Sequence, residues 1–221
     1  QWADGYLFIS THLRSNQLAK LKDYDMPITL IDESFEGMDS VMVDNEKGIE
    51  KAMHYFLENG LRRIGMISGL KTSKPGQQRI DGYRSALEEA GVDVDEELIV
   101  TGDSMDRDGF TEENGYEAMI KLLNMANPPE ACFCASDIQA VGALKAMEEK
   151  NKFIPIIGYD DITISNYIGL STIRQPMHDM GVLATQKLVE RMQDRDKEPV
   201  QKVFSPELIL RSSTQKKSVV S

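Results

Sequence analysis

The sequence predicts an α/β protein made of parallel strands, with helices on both faces of each sheet. Short apolar segments alternate with longer segments that have a helical period, and the β-branched run at 26–31 contains few polar interruptions, as expected for a strand covered on both faces. In addition, 221 residues are enough for one large lobe or two modest lobes, each with its own core.

The first part of the chain predicts strands at 6–10, 26–31, 40–43 and 63–69, with a short helical stretch at 16–24. A longer helix is expected after the third strand, because Asp44 or Asn45 can cap it and Asn59-Gly60 supplies a left-handed end. The residues that fall on its inner face at a helical period are Ile49, Ala52, Met53, Phe56 and Leu57.

The middle of the chain continues the alternation. A helix that ends at Gly91 should bury Ile80, Tyr83 and Leu87, and a strand follows at 98–100. A helix at 112–125 has Thr111 as its expected cap, and a strand follows at 131–135. The next helix opens at Asp137, which is itself interpreted as a cap. Its expected inner face consists of Ile138, Val141 and Leu144.

The last part predicts strands at 154–159 and 170–173 and then a helix at 177–192. Pro176 lies in the first turn of this helix, where a missing N–H has no consequence. Strands at 202–204 and 208–210 end the pattern. Because strands alternate with helices throughout, right-handed crossover connections are expected.

Composition excludes several classes of function. The net charge of -11 and the pI near 4.8 argue against direct binding of phosphate backbones, so any action on DNA would need another segment. No run of about 18 apolar residues is present, and the N-terminus does not resemble a signal peptide. Cys132 and Cys134 are expected to be buried free thiols, which suits the reducing cytoplasm.

Small or acidic side chains follow several of the predicted strands. Their shared position is the carboxyl end of a strand, where open α/β sheets bind small molecules. They are Asp32, Ser68, Ser136 with Asp137, and Asp160 with Asp161. Each could simply cap a helix. Taken together, they favour a polar ligand with many hydroxyl groups.

Enzyme chemistry is poorly supported. The loop at 69–76 has the wrong glycine spacing for a phosphate loop, and no G-x-S-x-G nucleophile motif occurs. His12, His54 and His178 have no evident partner, and the last two are expected to be surface or packing residues of helices. Asp160 and Asp161 could bind Mg²⁺, but no phosphate-binding partner accompanies them. The sequence therefore predicts neither catalysis nor a cofactor.

A sugar is a suitable ligand for a site formed by the side chains of Arg79, Phe110, Asp32 and Asp160. A guanidinium and a carboxylate can each bond two adjacent hydroxyls, and an aromatic ring can cover the apolar face of a pyranose or furanose. Other interpretations stay open, because Arg79 could pair with acids on its own helix, namely Asp81 or Glu88, and Phe110 could belong to the core.

Seven segments follow one another along the chain: VMVDNEKG (41–48), NGLRRIGMISG (59–69), RIDGYRSALEEAG (79–91), CASDIQAVGALKAM (134–147), IIGYDDI (156–162), LSTIRQPMHDMG (170–181) and PELILRSST (206–214). In their order and spacing they resemble the effector domain of LacI/GalR-family bacterial transcriptional regulators. The resemblance covers essentially the whole chain. It implies two lobes of the periplasmic-binding-protein-like type joined by crossover strands, with a small-molecule cleft between them. It also implies a homodimer and a separate N-terminal headpiece that binds operator DNA.

The same resemblance assigns lobes and ligand-binding residues. Residues 1–42 and 175–204 would form the N-terminal lobe, and residues 43–174 and 205–221 the C-terminal lobe. Three assignments rest on motifs: Asp32 follows an N-lobe strand, Arg79 is the effector-binding arginine, and Asp160 is the first Asp of GYDD. Phe110 matches a stacking aromatic, Ser136 stands where Asn is common, and Met177 follows the Arg-Gln of TIRQP.

Two departures from the family pattern are expected to matter. The headpiece and the first part of the N-lobe have no counterpart, so the N-lobe would be incomplete, and the join at 150–156 is shorter than usual. The function predicted is sensing of a sugar or sugar phosphate by a cytoplasmic repressor without membrane contact. The alternatives are an extracytoplasmic sugar-binding protein of a transporter and a small α/β enzyme that uses Asp160.

Overall fold

The chain divides into two compact units, which are described separately below. A computed structural model describes residues 3–9, 15–22, 26–72, 74–102 and 106–215 of the 221. The first unit consists of Gln1–Asp44 with Pro176–Ser205, and the second of Asn45–Gln175 with Pro206–Ser221. These limits differ by one or two residues from the lobe boundaries that the family resemblance implies.

Strands and helices alternate along the described chain. The strands are β1 (Tyr6–Ile9), β2 (Ile28–Ile31), β3 (Asp39–Val43), β4 (Ile64–Ser68), β5 (Ile99–Thr101), β6 (Ala131–Cys134), β7 (Ile156–Asp160), β8 (Ser171–Arg174), β9 (Gln201–Phe204) and β10 (Glu207–Ile209). The helices are α1 (Ser15–Lys22), α2 (Asn45–Glu58), α3 (Lys74–Glu89), α4 (Glu112–Leu123), α5 (Asp137–Glu149), α6 (Thr163–Tyr167) and α7 (Met177–Gln193).

The first unit contains a four-stranded parallel sheet in the order β1-β2-β3-β9. Successive residues of β2 and β3 point to opposite faces. One face buries Ile31, Val41 and Val43 against α7, and the other buries Leu30 near Leu21 of α1. Both faces of the sheet are therefore covered, as the uninterrupted apolar strands predicted.

The second unit contains a six-stranded sheet in the order β10-β8-β7-β6-β4-β5. Helices α2 and α3 cover the face that carries Met66 and Phe133, and α4 and α5 cover the face that carries Ile67 and Cys132. The expected α/β class with helices on both faces is confirmed. Among the described strands of this sheet, only β10 is antiparallel to its neighbour, and it lies at an edge, where a reversed strand is common.

The predicted inner face of α5 is wrong. Ile138, Val141 and Leu144 are only partly buried, whereas the apolar residues of α5 with no exposed surface are the small ones Ala140, Ala143 and Ala146. The reason is the close approach of α4 and α5: a Cβ atom on Gly115 would lie 1.9 Å from the Gln139 carbonyl oxygen. Small residues fit this contact and larger apolar ones do not.

Three further expectations can be compared with the structure. Cys132 and Cys134 are buried free thiols, as predicted. His54 and His178 are exposed on α2 and α7, whereas His12 lies outside the described residues. Within the described part of the chain, none of the helices combines the length and apolar character needed to cross a bilayer.

Candidate functional site

Arg79 occupies the centre of a polar cluster at the carboxyl edge of the second unit's sheet. Its side chain projects from α3 and is only 7% exposed. Nη1 donates a hydrogen bond to the Ala135 carbonyl just beyond β6, and Nε lies 3.4 Å from Oδ1 of Asn45. The guanidinium is planar and its N–H donors are rigidly arranged, so the bond to the Ala135 carbonyl fixes the orientation of this plane.

Two aromatic rings lie against the Arg79 guanidinium. Its central carbon is 4.0 Å from the centroid of Tyr159 and 5.7 Å from that of Phe110. The Tyr159 hydroxyl donates to Oδ1 of Asn45 over 3.0 Å, so one amide oxygen orients both the ring and the arginine. The rings attract the cation through their electron-rich faces.

No ion pair joins Arg79 to a carboxylate anywhere in the described residues. Asp81, which the sequence offered as a partner, instead accepts hydrogen bonds from Gln77 over 2.7 Å and from Arg84 over 3.5 Å. The bonds to Ala135 and Asn45 occupy two of the five guanidinium N–H groups. The remaining donors are available to an outside acceptor.

Phe110 is held by a tight turn that follows β5 in the chain and contacts the loop beyond β4. Arg107, Asp108 and Gly109 all have positive φ, at 45°, 53° and 76°, and the Leu70 N–H donates to the Asp108 carbonyl over 2.7 Å. A Cβ atom on Gly69 would lie 2.7 Å from the Phe110 ring, so only glycine permits this approach. Phe110 is partly buried and packs against the core, as the alternative interpretation of this residue expected.

Ser136 caps α5 and lies next to the carbonyl that Arg79 binds. Its Oγ accepts a hydrogen bond from the Gln139 N–H over 3.2 Å and lies 3.3 Å from Oε1 of the same residue. Asp137 was interpreted as the cap, and that interpretation is wrong. The carboxylate of Asp137 turns inward instead, because it is fully buried and bonded to groups of three other segments.

The turn at the end of β7 begins with Asp160, the last residue of that strand, and continues with Asp161. Both have positive φ, at 119° and 57°, which is an unfavourable conformation for residues other than glycine. The Asp160 carboxylate accepts from Gln175 Nε2 over 2.6 Å. The Asp161 carboxylate pairs with Arg174 over 2.6 Å and Arg211 over 2.7 Å. Neighbouring side chains thus hold both halves of the Asp-Asp pair.

The pKa values of two carboxyl groups near this turn move in opposite directions. Burial opposes ionisation of Asp161, but the hydrogen bonds and attraction of Arg174 and Arg211 outweigh burial and lower its pKa. Burial raises the pKa of the Asp137 carboxyl, and hydrogen bonds from Ser165, Thr172 and the Ile162 N–H only partly offset that effect. The arginines therefore favour the anionic form of Asp161, whereas burial disfavours the anionic form of Asp137.

The structure places four of the six predicted ligand residues along one sheet edge of the second unit. Arg79 and Phe110 are in contact, Ser136 follows the carbonyl that Arg79 binds, and Asp160 follows Tyr159 directly. The other two belong to the first unit. There, Asp32 follows β2 with a φ of 60°, and Met177 is 51% exposed at the start of α7.

Sequence reasoning missed Asn45, Tyr159 and Gln139. Asn45 was considered only as a helix cap, and Tyr159 only as part of a strand. A usable signal existed for Tyr159, because it immediately precedes an acidic pair at a strand end. Nothing in the sequence places Gln139 near the Phe110 turn.

A metal site has no support in the described residues. No three His, Cys, Asp or Glu side chains among them lie close enough together to bind a metal ion. Asp160 and Asp161 instead bind Gln175 and two arginines. The groups at the edge are suited to hydrogen bonding and stacking.

The chain is similar to several bacterial regulators. It is 34% identical, over 95% of its length, to the HTH-type transcriptional repressor PurR of Escherichia coli O1:K1 / APEC, and it spans 63% of that protein. The transcriptional regulator CelR in complex with cellobiose is 31% identical, with a TM-score of 0.84 over 96% of this chain and 66% of the other. A LacI-family regulator of Enterococcus faecium with bound ribose is 26% identical, with a TM-score of 0.85 over 96% and 79%.

The model of the periplasmic binding protein-like domain matches residues 53–214. That range includes Arg79, Phe110, Ser136 and Asp160. These relatives are named as regulators and not as enzymes, which agrees with the expectation of a non-catalytic chain. The chain therefore belongs to the periplasmic binding protein-like domain family, in the form found in LacI-family transcriptional regulators.

Proposed function

We propose that this chain is the effector-sensing and dimerising part of a cytoplasmic transcriptional repressor, and that its second unit binds a sugar or sugar derivative at the sheet edge around Arg79. The observation that carries the proposal is the state of the Arg79 guanidinium. It is nearly buried, lies against two aromatic rings and has no carboxylate partner in the described residues. A buried cation in this state is favourable when a ligand supplies acceptors.

A sugar suits the groups around Arg79. The free N–H groups of the guanidinium can donate to neighbouring hydroxyls, and the Asp160 carboxylate can accept from others. Phe110 is partly buried and offers an aromatic surface for the apolar face of a sugar ring. The bound cellobiose of CelR and the bound ribose of the Enterococcus faecium regulator support a saccharide as the ligand class.

The regulatory part of the proposal rests on the family. The chain spans 63% of PurR, so operator binding would belong to a headpiece outside this chain. Binding would act through the difference in ligand affinity between two conformations of a homodimer, because a ligand can shift an equilibrium only by that difference. Asp32 and Met177 of the first unit are proposed as further ligand contacts, on the family resemblance.

Thermal unfolding of the full-length regulator tests this proposal against a panel of monosaccharides, disaccharides and sugar phosphates. A ligand at about 100 times its dissociation constant should add roughly 2.7 kcal/mol to the free energy of unfolding. Arg79→Ala and Asp160→Ala should each abolish this gain. The gain is measured within each variant, so any change in the unliganded protein cancels.

Arg84→Ala is the matched control for Arg79→Ala. Arg84 lies on the same helix, but its guanidinium pairs with Glu96 at 2.8 Å on the surface. This control should keep the full ligand gain. If Arg79→Ala keeps it as well, the ligand binds elsewhere and the proposed site is wrong.

A further inference from the structure

The first turn of α5 contacts two separate turns of the proposed site. Asp137 reaches the turn after β7, which carries Asp160, and Gln139 reaches the turn that carries Phe110. Both side chains are fully buried. Neither Asp137 nor Gln139 was among the predicted ligand residues.

Asp137 bonds to three segments at once. Oδ2 accepts from the Ile162 N–H over 3.0 Å and from the Ser165 hydroxyl over 2.6 Å. Oδ1 accepts from the Thr172 hydroxyl over 2.6 Å. The Asp161 N–H in turn donates to Thr172 Oγ1 over 3.3 Å. One carboxylate therefore binds the end of the turn directly and its middle through a hydroxyl.

The turn needs this support because its backbone is unfavourable. Asp160 and Asp161 have φ values of 119° and 57°, and such conformations persist only where surrounding contacts impose them. A Cβ atom on Gly158 would lie 2.2 Å from Oδ1 of Asp137. Glycine at that position thus lets the carboxylate lie directly against β7, next to the turn that it supports.

Gln139 has the same relation to the Phe110 turn. Its Nε2 donates to the Gly109 carbonyl over 3.1 Å, while its N–H is fixed by the Ser136 cap. Gly109 has a φ of 76° and follows two other residues of positive φ. The amide therefore holds a left-handed turn at its last residue, directly before Phe110.

We infer that the first turn of α5 is a positioning element of the effector site, in which Asp137 holds the turn that carries Asp160 and Gln139 holds the turn that carries Phe110. This inference rests on the proposed function for its meaning in binding. The positioning itself is a property of the unliganded protein, so it can be measured without a ligand.

Amide hydrogen exchange of the full-length protein tests the inference. In Asp137→Ala, exchange at 160–165 should accelerate at least about tenfold, while exchange at 106–110 stays as in the parent. Gln139→Ala should show the reverse pattern. Lys145→Ala, an exposed change on the same helix, should alter neither segment.

The conservative variant Asp137→Asn separates positioning from general loss of structure. An asparagine can still accept from the Ile162 N–H and the Ser165 hydroxyl, and its amino group can donate to Thr172 Oγ1, so exchange at 160–165 should return close to the parent rate. If Asp137→Ala does not fold, Thr172→Val removes one link at nearly constant shape. It should then accelerate exchange at Asp161, whose N–H donates to Thr172 Oγ1.

The binding readout uses the panel sugar that stabilises the parent most. Asp137→Ala and Gln139→Ala should each weaken its binding by about tenfold or more, and Asp137→Asn should restore most of the affinity. Unchanged exchange in both alanine variants, or fast exchange with unchanged affinity, would overturn the inference. If no sugar stabilises the parent, the proposed function fails, while the exchange pattern still decides whether the two turns depend on α5.

Discussion

Gly115→Ala probes the contact between α4 and α5, which supports the first turn of α5. An added Cβ would lie 1.9 Å from the Gln139 carbonyl oxygen and 2.7 Å from its Cα atom. Both are backbone atoms, so no side-chain rotation can relieve the overlap. The helices would have to move apart by about 1.5 Å to restore an ordinary contact.

The expected loss of stability is the difference between two effects. Overpacking against backbone should cost about 3 kcal/mol, at the upper end of the usual range, whereas replacing a helical glycine by alanine stabilises by about 1 kcal/mol. The net loss in the free energy of unfolding is therefore about 2 kcal/mol. For a domain of this size that corresponds to a melting temperature lower by about 4–8 °C.

Gly181→Ala is the matched control, because Gly181 also lies within a helix and an added Cβ would meet no atom within 4 Å. At this position only the higher helix propensity of alanine relative to glycine remains. The melting temperature of the Gly181→Ala variant should therefore rise by about 2–4 °C. Calorimetry of parent, Gly115→Ala and Gly181→Ala under one condition provides the comparison. A rise in melting temperature for Gly115→Ala would refute the close backbone contact between α4 and α5.

Two further predictions concern the site. Despite burial, the pKa of Asp161 is lowered from 3.8 in the folded state, because the carboxylate pairs with Arg174 and Arg211. These pairs therefore stabilise the folded protein fully at a pH above the pKa of the unfolded state. The stabilisation is lost as the pH falls through the pKa of the folded state. In urea unfolding, the stability difference between parent and Asp161→Asn should therefore shrink from pH 6 to pH 3, and a constant difference would contradict the assignment. Gly69→Ala should displace the Phe110 ring and reduce the sugar-induced rise in melting temperature, and an undiminished rise would show that the ring position is irrelevant to binding.

The buried faces of α2 and α3 could be predicted from the sequence, because the buried residues of these helices recur with a simple period. Ile49, Met53 and Phe56 of α2 are buried as expected, and so is Tyr83 of α3. These helices pack on a sheet through large side chains, which leave a clear periodic signal. The short helix α6 was missed, because five residues between two strands are too few to show a period.

The face of α5 could not be read in the same way. Its apolar residues Ile138, Val141 and Leu144 suggested one face, but the helix turns its small residues toward α4. The deciding contact joins Gly142 to the Glu112 carbonyl, where a Cβ would lie 1.8 Å away. Such a fit depends on how two separate helices pack against each other, and the hydrophobicity of one helix alone does not encode it.

By itself, the sequence determined the α/β class, the order of the strands along the chain and the strand ends at which polar residues gather. These follow from local periodicity and from the rule that parallel strands share a carboxyl edge. Only the tertiary structure decided which groups meet there: that Arg79 contacts Tyr159 and Phe110 and has no carboxylate partner among the residues the structure describes, and that Asp137 supports a turn where a cap was expected. The physical reason is that a buried charge takes its partners from segments brought together by folding, whereas a periodic pattern describes one segment at a time.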